Sequence, residues 1–395
     1  MAAPSSRVQS IDIIRGAVMV LMAIDHVRVY AGVPAGGPTF GLFFTRWVTH
    51  FCAPAFVFLA GTSAFLYGQR HADLSRFLVT RGLWLILLEL TVIRVAWTFN
   101  LEFGHYMLAG VIWAIGWSLI VLAGLARLPA SVAGIIGVLL IAGHNVLDGS
   151  FWALASSLDQ RPFAGLWKIL YFSFFAGPVT LWRDGPPLMV LYSLVPWVGV
   201  MAAGYGFGAI VAKPPAERRR RCLAIGLGAI AAFAILRGLN LYGDPRPWGV
   251  VPPEGSVAMR PLFDFLNTSK YPASLSFLLM TLGPTIALVP LLDDARGAVA
   301  RWLTVFGRVP FFYYLLHIPL IHVLAIGVSL VTTGAVNPWL FENHPMGNPP
   351  APPGYMWGLG TLYLVWAMAV VLLYPACRWF AGVKTRRSDW WLGYL

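Results

Sequence analysis

Charged residues are scarce in this sequence, at 11%, and acidic ones scarcer still. In 395 residues that are 58% hydrophobic, 16 Asp and Glu stand against 28 Lys and Arg. A soluble chain of this size needs far more polar surface, so the composition excludes a water-soluble globular protein and implies a polytopic membrane protein. Cysteine is nearly absent. Cys52, Cys222 and Cys377 lie far apart in or beside apolar stretches, with no CxxC or Cys/His spacing, which argues against a disulfide framework and against a zinc site. The basic residues are not interleaved with aromatics on a polar surface; they sit at the ends of hydrophobic runs. The net charge of +12 is therefore a topology signal and not a nucleic-acid site. The pattern of a cleavable signal peptide is missing too. The first apolar run is as long as a bilayer requires and no small-residue cleavage site follows it, so the segment is read as retained.

What is present is a series of long apolar runs. A membrane-spanning helix needs about 20 mostly apolar residues, and the runs meeting that need centre on 10–33, 47–67, 77–98, 106–126, 130–148, 188–212, 221–239, 271–292, 303–332 and 356–381. The expected fold is all-α, a bundle of about ten transmembrane helices forming one domain over 1–395. The ninth run is long enough to tilt or break near Gly307 or Pro319. With the N-terminus in the cytoplasm, the cytoplasmic side receives Arg7, Arg70, Arg76, Arg81, Arg127, Lys213, Arg218 to Arg221, Arg296, Arg301, Arg308, Arg378, Lys384, Arg386 and Arg387. The opposite loops, 149–187, 240–270 and 333–355, are sparser in Lys and Arg for their length, which predicts both termini inside. Within the first of them, "AGLWKILYFSFF" (164–175) suits the membrane interface. The Arg run at 218–221 reads as an anchor beside acidic head groups. No repeat relates the two halves of the chain, which lowers the expectation of a transporter.

The first span, "SIDIIRGAVMVLMAIDHVRVY" (10–30), carries Asp12, Arg15, Asp25, His26 and Arg28 where charge is costly. Arg15 and His26 are eleven residues apart, almost three helical turns, so they share a face about 16 Å apart along the axis. One face thus offers a cation for an anionic group and, deeper, an acid/base. An Arg followed by ten residues and a His in the first span resembles the signature of the acyltransferase-three family of membrane acyltransferases. The wider string "RVQSIDIIRGAVMVLMAIDH" with "APAFVFLAGTSAFL" (53–66) resembles the catalytic core of the heparan-α-glucosaminide N-acetyltransferase family. The strings "RGLWLILLELTVIRVAWTFN", "LIAGHNVLD", "RGLNLYGDPRPW", "NTSKYPASLSFLLMTLGP" and "GRVPFFYYLLHIPLIH" resemble its bacterial branch. In the eukaryotic pattern the histidine implicated in catalysis lies between the first two spans. Here 33–47 contains none, and His26 stands where that pattern has an asparagine.

The resemblance implies acyl transfer, with acetyl-CoA as donor and an amine or hydroxyl of an extracytoplasmic carbohydrate or glycolipid as acceptor, catalysed inside the lipid bilayer. Such transfer needs a base, donors for the oxyanion and a hold on the acyl-CoA. Arg15 is the expected hold, with Arg46 a second cation. His26 or His50 is the expected base, with Asp25 beside the first in sequence and Arg46 one helical turn before the second. Glu89 and Arg94 fall at membrane depth, where either an ion pair with another helix or a substrate contact accounts for them. His144 and Asp148 stand at i, i+4, so the carboxylate could orient the imidazole, with Asn145 between them; helix termination is the other reading. Arg237 and Asn240 close a span, Lys270 opens one, and His317 lies five residues before His322; each is a candidate for substrate contact. The five-residue spacing splays the last two around the helix and argues against a metal, and no metal is expected. The rival expectation is a transporter or flippase of a polar or amphipathic small molecule, with the same charges lining a pathway.

Overall fold

The computed structural model describes residues 8–37, 39–183, 185–249, 260–342 and 349–395. Arg7 and parts of the loops 240–270 and 333–355 lie outside them. The chain is predominantly helical. Its helices are α1 (Gln9–Tyr30), α2 (Phe40–Trp47), α3 (Cys52–Gly68), α4 (Leu74–Leu88), α5 (Arg94–Thr98), α6 (Val111–Leu125), α7 (Ala130–Gly143) and α8 (Phe151–Ser157). After these come α9 (Ala164–Trp167), α10 (Leu194–Val211), α11 (Pro215–Gly238), α12 (Arg260–Leu266), α13 (Leu275–Leu291), α14 (Ala298–Arg308), α15 (Pro310–Thr333) and α16 (Leu359–Arg386). Six helical segments among the described residues are long and apolar enough to cross a bilayer: 40–68, 130–160, α10, α11, α15 and α16. The first span is helical over its length, but its charges leave it outside that set.

In two of the expected spans the start of the apolar run is a strand. Met107–Ala109 forms strand β1 and Pro187–Val190 forms β3; with β2 (Val179–Thr180) they make a small sheet in the order β1-β3-β2, the first pair parallel and the second antiparallel. Gly110 and Ser193 then begin α6 and α10. An apolar run long enough for a helix conceals a buried strand, because hydrophobicity alone does not distinguish them. The all-α expectation is corrected by this sheet, and six of the about ten expected spans are matched by helices long and apolar enough to cross among the described residues. The ninth run breaks at Val309, between α14 and α15; Pro310 opens the new helix, where its missing N–H costs nothing, and Pro319 stays inside it.

Close crossings hold the bundle together. Gly307 of α14 lies against the Asp12 carbonyl of α1, and Gly16 of α1 lies against the Leu303 carbonyl of α14. Gly61 and Gly204 make the same reciprocal contact between α3 and α10. Apolar helices in lipid gain little from hydrophobic association, so backbone approach of this kind supplies the dispersion contact that joins them. Any Cβ at Gly307 overlaps the Asp12 carbonyl. Gly307→Leu is therefore expected to destabilise the protein by about 1–3 kcal/mol through overpacking, read as a lowered Tm in detergent. Gly327→Ala, in open space on α15, should leave Tm unchanged. One apolar core runs through the bundle from Ile11 to Leu392.

Candidate active site

Near its C-terminal end α1 brings His26 against α15. His26 Nδ1 and His317 Nε2 are 2.5 Å apart, with the rings stacked at 4.7 Å between centroids. His317 Nδ1 faces two carbonyls of its own helix, Tyr314 at 2.6 Å and Tyr313 at 3.2 Å. Carbonyls only accept, so the proton of neutral His317 is on Nδ1 and its Nε2 is an acceptor. His26 must then donate from Nδ1, which leaves the lone pair of its Nε2 free to take a proton. Trp97 presses edge-on to the His26 ring at 5.0 Å, and His317 is completely buried whereas His26 is half-buried. The outcome is one fixed imidazole with its basic nitrogen defined by a second imidazole.

Asp25 does not orient His26. Its Oδ1 accepts from Arg28 Nε and its Oδ2 from Arg46 Nη1, both at 2.8 Å, so one carboxylate holds an arginine of its own helix and ties α1 to α2 through a second. Asp25 stands beside His26 in sequence, but adjacent helical residues point about 100° apart, and the Asp25 direction is toward the arginines. Arg46 lies beside Tyr271, and His50 is within Coulombic reach of Arg46, Lys270, Asp25 and Arg246. Lys270 Nζ stands 5.6 Å from the Tyr192 ring centroid and 5.2 Å from that of Tyr271. Asp25, His26, Arg46, His50, Lys270 and His317, scattered between the first and ninth apolar runs, thus form one polar cluster.

The other expected site residues build the frame around it. Glu89 is buried, and its Oε2 accepts from the backbone of Ile112 at 2.8 Å and Trp113 at 3.1 Å, capping the otherwise unpaired N-terminus of α6. Arg94 does not pair with Glu89. It donates to Asn100 O at 2.9 Å, Glu102 O at 2.7 Å and Thr98 Oγ1 at 3.1 Å, fastening the turn after α5. Asp148 likewise leaves His144 alone and accepts from Asn145 Nδ2 at 2.9 Å. His144 Nε2 instead meets Ala273 O at 2.8 Å and Asn145 Oδ1 accepts from Leu275 N at 2.8 Å, so both pin α7 to the start of α13. Arg237 donates to Phe265 O at 3.1 Å and Arg246 O at 2.6 Å, and Asn240 exchanges hydrogen bonds with the Trp248 backbone. Each of these groups has a hydrogen-bond partner within the protein, which gives it a place in the frame. Arg15 donates to Leu59 O at 2.8 Å and to Ser63 Oγ on α3, and lies within Coulombic reach of Arg81.

Asp244 stands in the string "RGLNLYGDPRPW", where no site role was expected of it. It is the hub of the loop that carries Lys270, accepting from Ser269 N at 2.8 Å, Ser269 Oγ at 2.7 Å and Ser274 Oγ at 2.9 Å. Trp97, Tyr192 and Tyr271 carried no signal that set them apart from other aromatics of the spans and loops. Comparison with curated proteins finds no match. A family profile, "Heparan-alpha-glucosaminide N-acetyltransferase, catalytic", matches residues 7–242, which include Asp25, His26, Arg46 and His50; Lys270 and His317 come from the remainder. With more than half of its length matched, and with a fixed imidazole in a buried polar cluster inside that stretch, the chain belongs to the heparan-alpha-glucosaminide N-acetyltransferase catalytic-domain family.

Proposed function

We propose that this protein transfers acetyl from acetyl-CoA to an amine or hydroxyl of an extracytoplasmic carbohydrate or glycolipid, from within a bacterial inner membrane with both termini cytoplasmic. The observation that carries the reading is the His26–His317 pair, which presents one unprotonated ring nitrogen beside a cluster rich in cations. His26 Nε2 takes the proton of the acceptor N–H or O–H as that atom attacks the thioester carbonyl. The tetrahedral oxyanion then collapses, the C–S bond breaks, and the coenzyme leaves as a thiol once it receives the proton that His26 holds. Direct transfer needs no acyl-enzyme. Arg15, at the other end of the His26 face, is the residue proposed to meet the phosphates of the donor, with its Ser63 and Leu59 contacts holding the guanidinium in place.

The test is coenzyme dependence. Purified protein given acetyl-CoA and an amino-sugar acceptor should release free thiol and acetylated sugar in equal amounts. Counterflow of a solute with no loss of thioester would replace this reading with the transporter.

A further inference from the structure

The charge around His50 does not balance. Arg28 and Arg46 share a single carboxylate, Asp25, while Arg246 is engaged with the Asp244 loop through its backbone N–H to Asp244 Oδ1 and its Nε to Ser269 Oγ, each at 3.0 Å. Lys270 is left over. It is 7% exposed, it has no carboxylate within 4.0 Å among the described residues, and its ammonium meets only the faces of Tyr192 and Tyr271. Two aromatic faces compensate a buried ammonium only in part, and an unmatched charge taken out of water is costly unless something else pairs with it. His50 repeats the signal. It is 4% exposed and its Nδ1 has no hydrogen-bond partner among the described residues, although buried polar groups are almost always partnered. Two buried groups from different parts of the chain, one a cation and one able to donate from nitrogen, therefore lack partners in the same neighbourhood.

We propose that Lys270 and His50, with Arg46 behind them, form a binding site for an oxyanion, a carboxylate or phosphate group carried by a substrate of the transfer centre. The site deepens the acetyltransferase reading and rests on it for its use, but not for its existence. A carboxylate or phosphate accepts from the Lys270 ammonium and from His50 Nδ1–H together, and it matches the surplus charge that Asp25 leaves. The Asp244 hub holds the 269–274 loop in place, so the cation is fixed before the ligand arrives. The anion thereby places its carrier relative to the His26 lone pair.

The experiment measures binding without acetyl-CoA. Calorimetry of the full chain in detergent, with inorganic phosphate as probe, should show saturable binding that weakens about tenfold or more in Lys270→Met, as loss of a charged hydrogen bond requires. Lys270→Arg should keep it. The unliganded Lys270→Met protein should melt no lower than the parent, because it loses an unmatched buried charge and keeps the packing of the side chain. Competition separates the sources: displacement of phosphate by glucuronate assigns the site to an acidic acceptor, and displacement by 3′,5′-adenosine bisphosphate assigns it to the donor. No binding to the parent protein, equal binding to Lys270→Met, or a lowered Tm of that variant without ligand would each overturn the site. Phosphate binding through Lys270 in a protein that never transfers acetyl would keep the site and remove the acetyltransferase reading instead.

Discussion

His26→Ala is expected to lower acetyl transfer by about 10²–10⁴-fold, the usual worth of a positioned general base, while acetyl-CoA still binds. The ring lies at the cluster with His317 on one side and the edge of Trp97 on another, and its Nδ1–H is committed to His317. Removing it takes away the only ring nitrogen in this pair with a lone pair to spare. The donor contact proposed for Arg15 is three turns away on α1 and should be undisturbed, so the loss falls on turnover and not on donor affinity. The measurement is steady-state turnover beside equilibrium binding of acetyl-CoA. His50→Ala should keep measurable turnover with a raised acceptor requirement. The reverse ordering would move the base to His50, and full activity in both variants would remove histidine base catalysis.

His317 is expected to act through His26 as a positioning residue, and its replacement separates that role from simple packing. In His317→Phe the acceptor for His26 Nδ1–H disappears, the tautomer and ring orientation are no longer held, and kcat should fall about 10- to 100-fold, the range typical of partners that orient an imidazole. The KM for acceptor should move little. His317→Gln keeps an oxygen acceptor near the position of Nε2 and should recover much of the loss. Equal impairment of the Phe and Gln variants would mean that His317 only fills space, and unchanged turnover in both would break the pair as a catalytic device.

The helix periodicity made part of this site readable. Arg15 and His26 share a face by arithmetic on 3.6 residues per turn, and Arg46 and His50 follow from the same rule, because both are local relations. His317 was visible only as one of two splayed histidines and as a possible substrate contact; that it meets His26 across 291 residues is decided by how α1 packs on α15. The same limit applies to Asp25. Sequence puts it next to His26, but the side chain turns to Arg28 and Arg46. For Glu89 and Arg94, burial was legible and purpose was not, since a carboxylate at membrane depth serves a catalytic base, an ion pair or a helix end equally well on composition. The apolar runs located helices, six of them among the described residues long and apolar enough to cross a bilayer, but concealed that Met107–Ala109 and Pro187–Val190 pair as strands, a relation between two runs that neither run contains. The break expected near Gly307 falls two residues later, at Val309, and Gly307 is in addition a contact point, which the sequence did not show.

That contact changes how the two substrates can meet. With Gly307 under the Asp12 carbonyl and Gly16 under the Leu303 carbonyl, α1 is keyed to α14 in a single register, and sliding it by one residue sets a side chain where only hydrogen fits. A carrier that exposes its cargo alternately to two compartments must let such keyed helices part or slip in every cycle. Here the helix that holds both Arg15 and His26 is keyed to its neighbour at both glycines. The proposed acetyl transfer asks for no such slip: coenzyme and sugar would approach from opposite ends of a fixed axis, and the acetyl group alone would cross.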